Sequence, residues 1–324
     1  RMMLQPWLLP AFDTVVQAFR SGQLGHAQLL HGPQYLGKDA LAQALAQRLL
    51  CQRHDSQGLA CGECTACQRF IQGSHGDFRR IGIELNERTG KPKTAIGVDQ
   101  IRAMSEWLTL TAQLSGPRVV IIETAHRMNV QASNALLKTL EEPMPGRYLF
   151  LVTDQPKALP ATVRSRCQRI AIAPPGHDSA LAWVKGQGLK PDAAETLLAL
   201  AGHNPGLAVH WAQMDGIAVH QQVRKDLEAC MKGQSSTADI AKQWLADEQT
   251  ELRLLFCAQI GHGLSLKWAK ASSQGQQKPQ SVQKLQEWID GINRLRLSLS
   301  QPLRHDLGLA GLLFDWRQLL QEFR

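Results

Sequence analysis

Three groups of residues have the types and the spacing to do chemistry. His31–Asp39 reads HGPQYLGKD, which sets Gly32, Gly37 and Lys38 at the spacing of a phosphate-cradling loop. In such a loop the backbone N–H groups and the lysine grip phosphates at a helix N-terminus. The next position normally carries a Ser or Thr hydroxyl for Mg²⁺. Here it is Asp39, whose carboxylate would face phosphate oxygens with like charge. The alternative is a Gly-rich turn that only joins a strand to a helix. Farther on, RVVII runs into Glu123-Thr124-Ala125-His126. An active ATPase of this kind has acids there, one for the metal and one to polarise the attacking water. Glu123 could reach a metal, but Thr124 cannot serve as a general base. Defects on both sides of one site predict a chain that does not hydrolyse ATP by itself.

The second group is Cys51, Cys61, Cys64 and Cys67. Four thiolates at this spacing match a closed tetrahedral zinc site, with Gly62 allowing the turn between knuckle cysteines. A redox CxxC pair would leave two cysteines unexplained, and an iron–sulfur cluster would lack a partner redox domain. His54 and His75 are the alternative fourth ligands. Four thiolates leave no open coordination position, so the predicted role is structural.

The third group is TVRSRC, Thr162–Cys167. In its plainest reading Ser165 caps a helix start while Arg164 and Arg166 decorate the surface.

These groups need elements to hold them. Ala27–His31 reads as a short strand and Ala40–Leu50 as a helix. Asn86–Thr94 is a polar loop, Val98–Leu110 an amphipathic helix and Arg118–Glu123 a buried strand. Ser133–Glu142 is a helix stopped by Pro143, and Arg147–Thr153 is a second buried strand. Strands alternating with helices predict a parallel sheet covered on both faces. After APPG, Ala173–Gly176, no strand is evident; Ser179–Gln187 and Asp192–Ala201 are short helices followed by the turn at Asn204–Gly206. From about residue 215 the chain is helical, broken by a polar stretch at Ala271–Gln280.

Composition bounds the rest. At ~150 residues per domain, 324 residues suggest two or three domains. A net charge of +8 permits contact with nucleic acid without demonstrating it. No apolar run approaches the ~20 residues of a membrane span, and RMMLQPWLLPAF does not read as a signal peptide. Seven cysteines, an odd count, argue against a disulfide framework and for a reducing cytoplasm. Cys167, Cys230 and Cys257 read as small buried hydrophobes.

GPQYLGKD, the four-Cys insertion, RVVIIETAHRM, NALLKTLEEP (Asn134–Pro143) and TVRSRC occur here in one order and spacing. In these motifs the chain resembles the delta-prime family of bacterial DNA polymerase III clamp-loader subunits, AAA+ relatives of gamma/tau and the replication factor C small subunits. The resemblance is dense in the first domain and architectural beyond it. It implies an α/β P-loop (AAA+) domain at 1–172 with a parallel sheet, a small helical lid domain at 173–214, and an all-α collar domain at 215–324. It matches Lys38 to the P-loop lysine, Asp39 to the missing Ser/Thr and Thr124 to the lost catalytic acid. A nucleotide-sensing arginine of active relatives would fall near Gly206. Arg166 matches an arginine that enters the neighbouring subunit's ATP site, and the four cysteines match zinc ligands. The implied function is that of a hydrolysis-deficient stator within the DNA-directed DNA polymerase holoenzyme, working with gamma/tau and delta to place the sliding clamp on primed DNA. Zinc would be its own cofactor, with ATP and Mg²⁺ at the neighbour; the retained Lys38 leaves weak nucleotide binding open. The rival readings are an active gamma-like ATPase and a zinc-dependent nucleic-acid binder.

Overall fold

A computed structural model describes residues 4–53, 58–114, 116–273, 279–299 and 301–322. The chain forms two compact units, Arg1–Gly188 with Leu198–Ala208, and Leu189–Leu197 with Val209–Arg324.

The first unit is built on a parallel sheet of β1 (Ala27–His31), β2 (Phe78–Ile81), β3 (Arg118–Ile122), β4 (Arg147–Thr153) and β5 (Gln168–Ala171), in the order β2-β3-β4-β1-β5. Its helices are α1 (Leu9–Arg20), α2 (Lys38–Leu50), α3 (Thr65–Ile71), α4 (Val98–Thr109), α5 (Val130–Glu141), α6 (Ala161–Arg164) and α7 (His177–Gly186). Side chains alternate across a strand, so β3 feeds two cores. Val120 and Ile122 join Ile101 and Met104 of α4 and Leu136 and Leu140 of α5. Val119 and Ile121 join Phe12 and Val15 of α1 and Leu41, Leu45 and Leu49 of α2. Burial on both faces is why β1, β3 and β4 read as unbroken apolar runs.

At the base of the sheet, Asp77 and Arg118 form a buried ion pair at 3.3 Å. The Asp77 carboxylate also accepts the N–H groups of Gln113 (2.8 Å) and Leu114 (2.9 Å). Arg118 donates to Thr111 O at 2.6 Å and to Trp107 O, with its guanidinium 4.5 Å from the Trp107 ring centroid.

Helices α8 (Pro191–Leu200) and α9 (Pro205–Gln213) are each divided between the two units, and the rest of the chain is helical: α10 (Gly216–Met231), α11 (Thr237–Trp244), α12 (Thr250–Ser273), α13 (Pro279–Ser298) and α14 (His305–Glu322). Their core gathers Trp244, Phe256, Cys257, Trp288 and Trp316. The indoles of Trp288 and Trp316 stack at 4.6 Å, and Trp288 Nε1 donates to Leu312 O at 2.7 Å.

The α/β P-loop architecture and the helical C-terminal part are as the sequence predicts, with local corrections. Strands β2 and β5 are edge strands carrying exposed Arg79, Arg80, Gln168 and Arg169, so no apolar run announces them. Helix α5 starts three residues before the predicted Ser133, because the Asn129 side chain accepts the Ala132 N–H at 2.7 Å and caps it. Helix α12 continues through Ser273 into the expected loop, and 274–278 lie outside the described residues. Ser165 does not start a helix. It closes α6, its hydroxyl donating to Thr162 O at 3.1 Å, and β5 follows.

Candidate functional site

The carboxyl ends of parallel strands are where α/β sheets bind ligands, and this sheet delivers its candidate residues there. The Gly32–Gly37 loop follows β1 and runs into α2. A Cβ on Gly32 would lie 2.0 Å from Ile172 O, so the loop packs closely against the chain leaving β5. Trp7 Nε1 donates to Leu36 O at 3.0 Å and the Asn204 side chain to Gln34 O at 2.8 Å. A Cβ on Gly206 would sit 1.8 Å from Tyr35 O. The loop is braced from two sides by its own chain.

Lys38 is buried, and its Nζ donates to Pro33 O at 2.6 Å. Desolvation lowers its pKa, opposed by the carboxylates of Asp154 and Asp39. The Asp39 carboxyl is pushed up, first by desolvation and then by Glu123, against Lys38 and Arg80. Glu123, just past β3, is paired with Arg80 of β2. Thr124 adopts a left-handed backbone at φ 43°, an uncommon place for a β-branched residue. From the end of β4, the Thr153 hydroxyl meets His126 Nδ1 at 3.0 Å, with Asp154 Oδ1 3.4 Å from the same nitrogen. Lys38, Glu123, Thr153 and His126 at this edge therefore have protein partners. Thr124 offers no group that takes a proton from water at neutral pH.

The four thiols converge as the spacing predicts: their sulfurs all lie within 4.8 Å of one another. Cys51 Sγ is 3.6 Å from Cys61 Sγ and 3.9 Å from Cys64 Sγ, and Cys61 Sγ is 3.9 Å from Cys67 Sγ. A tetrahedron with Zn–S bonds of ~2.3 Å has edges of ~3.8 Å, so the donor set fits zinc. Cys51 caps the end of α2, Cys64 caps the start of α3, and Gly62 makes its turn at φ 77°. Backbone N–H groups point at the sulfurs, from Cys61 to Cys51 (3.4 Å), Cys64 to Cys61 (3.3 Å) and Cys67 to Cys64 (3.5 Å). Such bonds favour thiolates. Against its own desolvation, Cys64 is brought down to about 6 by hydrogen bonds from Cys67 and Gln52. The alternative ligand His75 stands outside this cluster, its Nδ1 accepting the Asp77 N–H at 3.1 Å, and His54 lies outside the described residues. Cys167, Cys230 and Cys257 are buried and form no disulfide, as expected.

Arg166 sits in the short connection between α6 and β5, with its guanidinium partly exposed. Nη2 lies 2.6 Å from Glu141 Oε1 at the end of α5, and Nη1 donates to Thr162 O at 2.9 Å. The sequence reading singled out neither Glu141 nor Arg80. Glu141 lay within NALLKTLEEP, read for another reason, and Arg80 lay in no motif.

The family model described as DNA polymerase III, delta subunit, matches residues 10–176. DNA polymerase III subunit delta' of Pseudomonas aeruginosa is 40% identical over 240 residues, 72% of this chain and 69% of its own length. The chain belongs to the DNA polymerase III delta' family. The delta' subunit of Escherichia coli K12 is 37% identical over 66% of this chain, and the match spans 62% of that relative's length. The family model's match, residues 10–176, takes in the P-loop, the four thiols and Arg166. Among solved structures, a gamma subunit-related protein of Thermotoga maritima aligns over 95% of this chain and 98% of its own, at 18% identity and a TM-score of 0.47.

Proposed function

We propose that this delta' family member is a clamp-loader subunit that does not turn over ATP itself and completes a neighbour's ATP site with Arg166. One juxtaposition carries the reading: the chain's own P-loop edge is committed to internal partners, while Arg166 is anchored with its guanidinium still facing solvent. ATP hydrolysis in such assemblies uses a cation at the γ-phosphate, which a neighbour can supply in trans. Arginine suits that role because its planar fork stays charged and matches phosphate oxygens.

On this reading 1–172 is the P-loop domain, 173–214 a lid and 215–324 a collar. The partners are gamma/tau and delta, and through them the sliding clamp and primed DNA, in the reducing cytoplasm. Cys51, Cys61, Cys64 and Cys67 would hold one zinc ion, which when bound ties the end of α2 to the start of α3 without an open position for catalysis. The retained Lys38 gives one of its three N–H donors to Pro33 O and keeps two, so residual nucleotide binding stays open.

The test is to assemble the chain with gamma/tau and delta and to compare ATPase for wild type, Arg166→Ala and Arg166→Lys. Loss of up to ~10³-fold at the adjacent site is expected for alanine, with poor rescue by lysine. ATPase activity in the isolated chain that depends on Lys38 would instead establish the gamma-like reading.

A further inference from the structure

Arg166 is not simply a surface arginine. Its side chain is 36% exposed, yet two anchors on different elements hold the guanidinium: the Glu141 carboxylate at 2.6 Å and the Thr162 carbonyl at 2.9 Å. The first anchor has a rigid base. Glu141 is the last residue of α5, whose Ala132, Leu136 and Leu140 are buried against the sheet. The second belongs to α6, tied into the same core through Val163. Each anchor takes one N–H from a different terminal nitrogen. A guanidinium has five N–H groups, so Nε–H and one proton on each terminal nitrogen remain to donate to an incoming phosphate. Among the described residues no carboxylate anchors nearby Arg164, and its Nε is buried without a hydrogen-bond partner.

We propose that Glu141 is a positioning residue for Arg166, holding the guanidinium in the orientation that reaches a neighbouring subunit's triphosphate. The inference rests on the trans-acting role of Arg166. A free arginine side chain must surrender its rotamer entropy when it engages a phosphate, and a pre-organised fork surrenders less. Glu141 removes part of that cost in advance. Because the carboxylate is itself about half exposed, the pair adds little to folding. Its effect belongs in the rate.

The experiment uses the assembled complex with gamma/tau and delta, and steady-state ATPase at saturating and limiting ATP. Glu141→Ala should lower kcat at the adjacent site by about two- to fivefold, the size of an exposed charge pair. KM for ATP, zinc content, assembly and thermal midpoint should not change. Glu141→Gln, which keeps an acceptor, should recover most of the rate. The double variant Glu141→Ala/Arg166→Ala should be no slower than Arg166→Ala alone. Glu142→Ala is the control, and its rate should equal wild type. If Arg166→Ala is slow but Glu141→Ala is not, the positioning role is wrong and the finger stands. If Arg166→Ala is itself as fast as wild type, the finger reading fails first. A double variant slower than Arg166→Ala would show Glu141 acting through some other group and overturn the proposal.

Discussion

Gly206→Ala tests whether the start of α9, which replaces the turn expected at Asn204–Gly206, braces the P-loop. The added Cβ would lie 1.8 Å from Tyr35 O, 2.8 Å from Tyr35 C and 3.2 Å from Tyr35 Cβ. Ordinary contact is ~3.5 Å, so loop or helix start must retreat by roughly 1.5 Å. Neither is soft. Asn204 is buried and spans the two, donating to Gln34 O at 2.8 Å while its Oδ1 accepts the Leu207 N–H at 3.1 Å. Trp7 holds the next part of the loop through Leu36 O. Overpacking of this kind costs ~1–3 kcal/mol, and breaking the Asn204–Gln34 bond adds ~1 kcal/mol. Gly206 is also a helical position, where alanine gains ~1 kcal/mol. The clash wins, for a net loss of ~1–3 kcal/mol. At ~2–4 °C per kcal/mol for large domains, the thermal midpoint should fall by ~2–12 °C.

Calorimetry of the wild type and variant reads this directly. Amide exchange at residues 34–38 should accelerate in the variant. Gly263→Ala provides the counter-case: it lies in α12 with nothing within 4 Å of its added Cβ, so it should stabilise by up to ~1 kcal/mol. A Gly206→Ala protein as stable as wild type, with unchanged exchange in the loop, would refute the bracing argument.

Other outcomes follow from single contacts. Asp77→Ala should cost ~3–5 kcal/mol by chemical denaturation, because it leaves buried Arg118 uncompensated; a loss below ~1 kcal/mol would show that the pair is not load-sharing. Thr124→Asn should gain ~1 kcal/mol, since asparagine tolerates the left-handed backbone that Thr124 adopts on an exposed turn, and calorimetry would detect the shift. Protein purified under reducing conditions should carry one zinc per chain by elemental analysis, and Cys64→Ser should lose it and expose 51–67 to proteolysis. Asp39→Thr should improve nucleotide binding by calorimetric titration without restoring turnover, because Thr124 still cannot orient water.

The sequence was most informative where burial or ligand chemistry constrains neighbouring residues. Val119–Ile122 and Leu149–Val152 must be apolar at every step because both faces of their strands are covered. The thiols were legible because a tetrahedral site fixes both their number and their spacing. Edge strands β2 and β5 were not, since an edge tolerates the arginines that discourage pairing with other chains. Polar pairs across the fold were also invisible. Arg80–Glu123 joins β2 to the end of β3, and Glu141–Arg166 joins α5 to the connection before β5; no local periodicity marks either partner. Ser165 misled because a serine before a new element reads as an N-cap, whereas here it ends a four-residue helix.

The carboxyl edge that makes an α/β sheet a ligand site is here tied largely to internal partners. A P-loop binds phosphate because its lysine, its acids and its lid present unsatisfied groups to the ligand. Here Lys38 is on Pro33 O, Glu123 is on Arg80, Thr153 is on His126, and Gly206 fits against Tyr35 O. A triphosphate would compete with the Lys38 and Glu123 contacts, which should lower its apparent affinity. Arg166 has the opposite balance: two anchors fix its direction and leave donors unspent. Substitutions that loosen the P-loop should therefore change this chain's stability and nucleotide affinity, while substitutions at Arg166 and Glu141 should register in the neighbour's turnover.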